Sequence, residues 1–242
     1  MHDVMGLRRT MLLFDDFQEY ISGASNGSGW TSVLKSTGTA AVGDGFGGIL
    51  TVTSAATLND DNYVKGSHQI FGFAQNKPFM AECYLQYSEA NTNKANVVFG
   101  FMSGVAAGAM QDTTGEPKTS FSGAVIYKVP GGTQWKTASS VGTTQTVNQS
   151  DTTAGGSAYT RLLIQVLPVS STLAEVTYFV DGVQLKTSGG RPGQTKIKDQ
   201  LTYTGSLAFS IFFGIKPGSG TGEVLNVDYC GAELLRALFT GF

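Results

Sequence analysis

Hydrophobic side chains in this chain recur at every second position, and that period constrains the fold more than any other feature. Phe79, Ala81, Cys83, Leu85 and Tyr87 form one set; Met80, Glu82, Tyr84 and Gln86 form the other. The same alternation runs through Leu207, Phe209, Ile211, Phe213 and Ile215, through Val97, Phe99 and Phe101, through Val125, Tyr127 and Val129, and through Leu162, Ile164 and Val166. Successive side chains of a strand leave opposite faces, so a period of two sends one set into a core and the other outward. Met11–Phe17, Gly48–Thr53, Leu173–Val180, Val183–Thr187 and Glu223–Cys230 are further strand candidates. Turn signals such as GDGFGG, NDDN, VPGG, TAGGS, SGGRPG and PGSGTG separate them. No long helical pattern intervenes; the closing AELLRALF reads as a short helix or as the continuation of the last strand. This pattern predicts an all-β, single-domain antiparallel sandwich, and a chain of 242 residues suits one such domain.

Two segments break the alternation. Ser103–Ser120 and Gly131–Ala158 are rich in small and polar residues and read as long loops, the second with a weak strand around Gln134–Ser140. YFVDGVQLK, by contrast, places Asp181-Gly182 between two alternating runs. That dipeptide supplies the two positive φ angles of a type I′ hairpin, so Asp181 reads as a corner, not a working carboxylate.

Charged residues are 14% of the chain, against about 25% in ordinary globular domains, and net charge is −2. A surface built instead of Thr, Ser, Asn, Gln and 32 glycines desolvates cheaply against another protein. No basic stripe is present, so a nucleic-acid partner is not expected; Arg8-Arg9 is too short to form one. No apolar run approaches a membrane span, and MHDVMGLRRTMLLF lacks the long apolar core and cleavage site of an export signal. Cys83 and Cys230 each sit in a strand-like segment and read as free buried thiols; a disulfide requires those strands to be neighbours.

The acidic residues argue against glycan hydrolysis along a single strand. Retaining hydrolysis needs two carboxyl groups about 5–5.5 Å apart, which residues two apart on a strand supply. No Asp or Glu here has another acidic residue two positions away. Asp15/Glu19 and Asp112/Glu116 are four apart, at a strand end and in a loop, and Phe79–Tyr87 carries Glu82 alone. His2 and His68 are the two histidines; no GxSxG elbow accompanies His68, and it reads as a surface or edge-strand residue. No zinc-ligand cluster or phosphate loop is visible. Asn59-Asp60-Asp61-Asn62 has the oxygens to contribute to a calcium site but reads as a polar turn. No catalytic residue, metal or cofactor is therefore expected.

The order of features resembles a known family. An opening strand with LFDDF is followed by Trp30 in a glycine-rich stretch, then GGIL, FMAECYLQY, VVFGFMSG, YTRLLIQVLPVS, AEVTYFVDGVQL and LNVDYCGAELL. From about Leu12 to Leu235 this resembles the concanavalin-A-like jelly roll found among structural proteins of tailed bacteriophages, typically capsid decoration (cement) proteins. The resemblance implies that the first and last strands pair, Met11–Phe17 beside Glu223–Cys230. It implies a non-enzymatic virion protein on the capsid surface, assembled in the host cytoplasm, that binds the major capsid protein and stabilises the head. The alternative is a carbohydrate- or receptor-binding module of a tail fibre or spike; a glycan hydrolase ranks below both.

The expected organisation is an N-terminal arm (1–10), a jelly roll (11–235) and a C-terminal arm (236–242). A homo-oligomer is expected, a trimer ahead of a dimer by analogy with capsid symmetry axes. The expected interface residues are Arg8 and Arg9 on the first arm and Leu238, Phe239 and Phe242 on the second. Trp30 and Trp135, in glycine-rich contexts, join them as interface anchors, with sugar stacking and core packing as the other readings.

Overall fold

The computed structural model describes residues 10–20, 29–43, 48–73, 77–188 and 195–235. Arg8, Arg9, Leu238, Phe239 and Phe242 lie outside the described residues. The described chain forms seventeen strands and no α-helix. In chain order they are β1 (Thr10–Asp15), β2 (Trp30–Leu34), β3 (Thr39–Gly43), β4 (Ile49–Thr53), β5 (Asn62–Gly66), β6 (Phe71–Gly72), β7 (Phe79–Ser88), β8 (Ala95–Met102) and β9 (Gly123–Lys128). They continue as β10 (Gln134–Val141), β11 (Thr144–Thr153), β12 (Thr160–Ser170), β13 (Leu173–Val180), β14 (Val183–Gln184), β15 (Lys198–Thr202), β16 (Ala208–Pro217) and β17 (Val224–Leu235).

Two antiparallel sheets face each other. The first runs β14-β13-β12-β7-β17-β4-β3, with β1 added on β17 and β15 on β13. The second runs β11-β10-β9-β8-β16-β5-β2, with β6 added on β16. Between them lies the main core: Phe79, Leu85, Phe99, Phe101, Ile126, Leu162, Ile164, Phe209 and Phe213 are all essentially withdrawn from water. The alternation read along Phe79–Tyr87 is the inward face of β7, whose odd-numbered members are buried.

The last strand has two partners on one side. β17 pairs β4 through Val224–Val227 and β1 through Cys230–Leu235, while β7 runs along its other edge. The first and last strands therefore do pair, but Thr10–Asp15 lies against Cys230–Leu235, further along than the expected Glu223–Cys230. The closing AELL continues the strand through Leu235. A bulge falls where the partner changes: Val227 opposes Leu85 and Tyr229 opposes Tyr84, so Asp228 is the extra residue.

The two expected long loops have different outcomes. Segment 103–120 is a loop, but one packed onto the outer face of the second sheet. Val105, Ala109, Met110 and Phe121 join Val98, Met102, Val125, Tyr127 and Phe212 in a second buried cluster. Both faces of β8 and β9 are consequently buried. Val125 and Tyr127, which alternate as a core set, belong to this outer layer, and Ala124 and Ile126 face the main core. Segment 131–158 is instead the hairpin β10–β11, the edge of the second sheet. Its β11 strand, TQTVNQSDTT, is polar on both faces because it borders solvent, so it carries no apolar period.

Candidate functional site

Of the two outer faces, that of the first sheet lies open. Antiparallel register arranges its outward side chains in rows. Tyr229, Tyr84 and Arg161 form one row across β17, β7 and β12. Phe14, Gly231, Glu82 and Leu163 form the next, and Glu233, Met80, Gln165, Thr177 and Lys198 a third. These side chains line three concavities that share members. One of about 750 Å³ runs over Pro78, Met80, Gln165, Leu167, Glu175 and Lys198. A second, of about 180 Å³, links Met80 to Phe14, Glu82, Glu233 and Tyr229. A third, of about 350 Å³, links Tyr229 to Tyr84, Arg161, Asp181 and Asp228. Shared Met80 and Tyr229 make them one shallow trough.

A strip of four aromatic rings runs along one end of that trough. Phe14 and Tyr229 have ring centroids 5.6 Å apart, Tyr229 and Tyr84 stack at 5.7 Å, and Tyr84 and Tyr159 lie at 5.0 Å. Phe14 is 56% exposed, so the strip has an open apolar end. The absence of a side chain at Gly231 makes room for it: a Cβ there would lie 3.2 Å from the Phe14 ring.

Polar groups fix the strip. The Tyr229 hydroxyl donates to Glu82 Oε1 at 2.6 Å, and Arg161 Nε lies 3.9 Å from Glu82 Oε2. Burial and the bond to Glu82 push the Tyr229 phenol well above the ordinary tyrosine range. Partial burial, followed by the Asp228 carboxylate, raises that of Tyr159. Both rings thus stay neutral hydrogen-bonding groups at physiological pH. The bulge at Asp228 places its carboxylate in this end of the trough.

Asp181 closes a two-residue hairpin: φ is 50° at Asp181 and 79° at Gly182, with Val180 opposite Val183. Its Oδ1 accepts the Arg161 backbone N–H at 2.8 Å, which ties the corner to the start of β12. Asp181 is a turn residue at the rim, as its dipeptide indicates.

Carboxylates from different strands do share this face. Glu233 opposes Met80 and Gly231 opposes Glu82, so Glu82 and Glu233 are diagonal neighbours, roughly 7–8 Å apart at the backbone. Single-strand spacing misses the pair because its members are 151 positions apart (233 − 82) and meet only through the β7–β17 register.

The other singled-out residues lie elsewhere. Trp30 and Trp135 are fully buried, which corrects their expected place at an interface: neither offers surface to a partner or a sugar. The Trp30 indole donates to Asp15 Oδ2 at 2.8 Å and packs on Phe17 and Phe213. Trp135 lies against Tyr87 inside the sandwich. The indoles close the core at chain segments where glycine-rich sequence reads as loop.

The Asn59–Asn62 turn is not a solvated one. Asp60 is buried and accepts the Ala55 N–H and the Asn62 amide. Asp61 accepts the Tyr63 hydroxyl and the Gly108 N–H, and Lys216 Nζ lies 3.3 Å away. Both Asp61 oxygens thus have protein donors, whereas Asp60 Oδ1 and Asn62 Oδ1 are buried without one. Among the described residues no three His, Cys, Asp or Glu side chains gather into a metal-binding group. Four acids over or beside the second sheet are paired with lysines: Asp61 and Asp112 with Lys216, Glu116 with Lys136, and Glu89 with Lys128. His68 is exposed beside the end of β5.

No protein-family model matches this chain, and no curated protein matches it. Solved structures do. Peanut lectin superposes with a TM-score of 0.58 at 12% identity, over 93% of this chain and 97% of the lectin. The carbohydrate recognition domain of Emp47p gives 0.57 at 10%, over 95% and 96%. The endo-1,3-β-glucanase of Streptomyces sioyaensis gives 0.60 at 13%, over 95% and 98%. At such identities the likeness establishes architecture: the chain folds as a concanavalin-A-like jelly roll, the fold of lectins and of glucanases alike.

Proposed function

We propose that this chain is a carbohydrate-recognition module that holds a glycan in the trough on the outer face of its first sheet without cleaving it. One observation carries this reading: the contiguous strip Phe14–Tyr229–Tyr84–Tyr159, flanked by Glu82, Arg161 and Asp228 on rigid strands. Sugars present apolar C–H faces and a rim of hydroxyls. Aromatic bodies suit the first, and carboxylate and guanidinium groups suit the second. Lectin and carbohydrate-recognition neighbours of the same fold support the assignment. The pairing of Glu82, whose oxygens already face the Tyr229 hydroxyl and Arg161, supports the passive role over hydrolysis.

A glycan array with the wild-type chain and Tyr84→Ala tests it. Wild type should give defined hits, and the variant should bind the same glycans about tenfold more weakly with an unchanged far-UV spectrum. An array without hits overturns the reading. Release of shorter sugars from a hit, abolished by Glu82→Gln or Glu233→Gln, would make the chain a hydrolase.

A second reading keeps the face and changes the partner. Phe14, Leu167, Val169 and Val183, all on the first sheet, are more than half exposed on a weakly charged surface. Such a surface suits docking on other proteins. With the sequence resemblance, it favours a phage capsid decoration protein that oligomerises, as trimers ahead of dimers, over major capsid subunits. Undecorated capsids should then take up the chain saturably and survive higher temperature, and light scattering gives its oligomeric state.

A further inference from the structure

The pairing of β7 with β17 sets Cys83 directly opposite Cys230. Opposed residues of an antiparallel pair have Cα atoms about 4.5 or 5.5 Å apart, depending on the type of pair. Both values fall inside the 4.4–6.8 Å span of disulfide-linked residues. Both side chains point into the main core with no exposure, and both thiols are free. On the reverse face of the same strands their chain neighbours Tyr84 and Tyr229 stack at 5.7 Å.

We infer that Cys83 and Cys230 are a cross-strand disulfide site, closed when the chain folds in the presence of a small-molecule disulfide and held open when it folds in a reducing medium. The chemistry is two thiol–disulfide exchanges. One cysteine thiolate attacks a sulfur of oxidised glutathione, whose S–S bond breaks and releases one glutathione thiolate. The second cysteine thiolate then attacks the mixed disulfide, forming the Cys83–Cys230 bond and releasing the second glutathione. Two cysteine thiols are oxidised, one glutathione disulfide is reduced, and two protons are lost from the cysteines.

Timing follows from burial. In the folded chain no oxidant reaches either sulfur, and desolvation together with the neighbouring thiol lifts Cys230 well above the ordinary thiol range, suppressing the attacking thiolate. The redox state is therefore set during folding and preserved afterwards. A bond between these positions closes a chain loop of well over a hundred residues, where the stabilisation from cross-linking is large.

The test is refolding of the urea-denatured full chain, once with dithiothreitol and once with oxidised and reduced glutathione. Oxidative refolding should leave no titratable thiol, give an intact mass lower by two hydrogens, and link the Cys83 and Cys230 peptides in a non-reducing digest. Its thermal midpoint should exceed that of the reduced form by roughly 5–15 °C. Chain folded under reduction and then exposed to the same glutathione buffer should keep both thiols. The Cys83→Ser/Cys230→Ser double variant should show no dependence of its midpoint on the refolding buffer. Two free thiols or only glutathione adducts after oxidative refolding would overturn the inference, as would the same midpoint shift in the double variant.

Discussion

Lys216 carries an ammonium group into a site with 2% side-chain exposure, an arrangement that persists only if every donor finds an acceptor. Its Nζ donates to the Met110 carbonyl at 2.8 Å and to Asp112, and lies 3.3 Å from Asp61 Oδ1. Asp61 is itself buried and bound by Tyr63 and Gly108. This cluster pins the 103–122 segment: Met110, Gly108 and Asp112 belong to that segment, whereas Lys216, Asp61 and Tyr63 lie in or beside β16 and β5. Removing the cation leaves a buried carboxylate without its counter-charge, which costs about 3–5 kcal/mol. Lys216→Met should therefore lower the urea midpoint strongly. Adding Asp61→Asn should recover a large part of the loss, because a neutral pair has no unpaired charge to bury. A Lys216→Met variant within 1 kcal/mol of wild type would show that the segment is held by apolar packing alone.

At the scale of elements, the outer face of the first sheet depends on how three strands meet. Gly231 sits between Phe14 on β1 and Glu82 on β7. A Cβ there would lie 3.1 Å from the Leu13 carbonyl and 3.2 Å from the Phe14 ring. The ring, being exposed, is the part that yields. Gly231→Ala should thus weaken glycan binding several-fold by moving Phe14, while the thermal midpoint changes by only a few degrees. Equal affinity on the array would remove Phe14 from the binding strip. Much of this element set is legible in the sequence, because β7, β12 and β13 bury one face and leave a period of two. Of the β10–β11 hairpin the sequence shows only the weak strand around Gln134–Ser140, which is β10; β11 is not legible, since it is polar on both faces and nothing apolar marks its phase. The aromatic strip is illegible for a different reason. Tyr84, Tyr159 and Tyr229 are far apart in the chain; the register of β17 on β7, with its bulge at Asp228, sets Tyr229 beside Tyr84, and that of β12 on β7 brings up Tyr159.

For the whole molecule, the decisive asymmetry is that one outer face is plugged and the other is open. The plug makes the middle of the second sheet, β8 and β9, an interior layer, and the carboxylates of Asp61, Glu89, Asp112 and Glu116 around it are paired with three lysines. The proposed recognition surface is thereby confined to the first sheet and its trough. Both tryptophans fall on the closed side of this division. Trp30 and Trp135 each have no exposure, and neither lines the trough. Their fluorescence is a probe of the sandwich that is blind to surface events. Iodide should quench the folded chain weakly and the urea-unfolded chain several-fold more strongly. A saturating glycan should protect tyrosines in the strip and leave the tryptophan emission and its quenching unchanged, because a rigid, filled core transmits no rearrangement to either indole. Ligand-dependent tryptophan emission would mean instead that binding opens the core near Asp15 or Tyr87, and the trough would no longer be the place where the ligand sits.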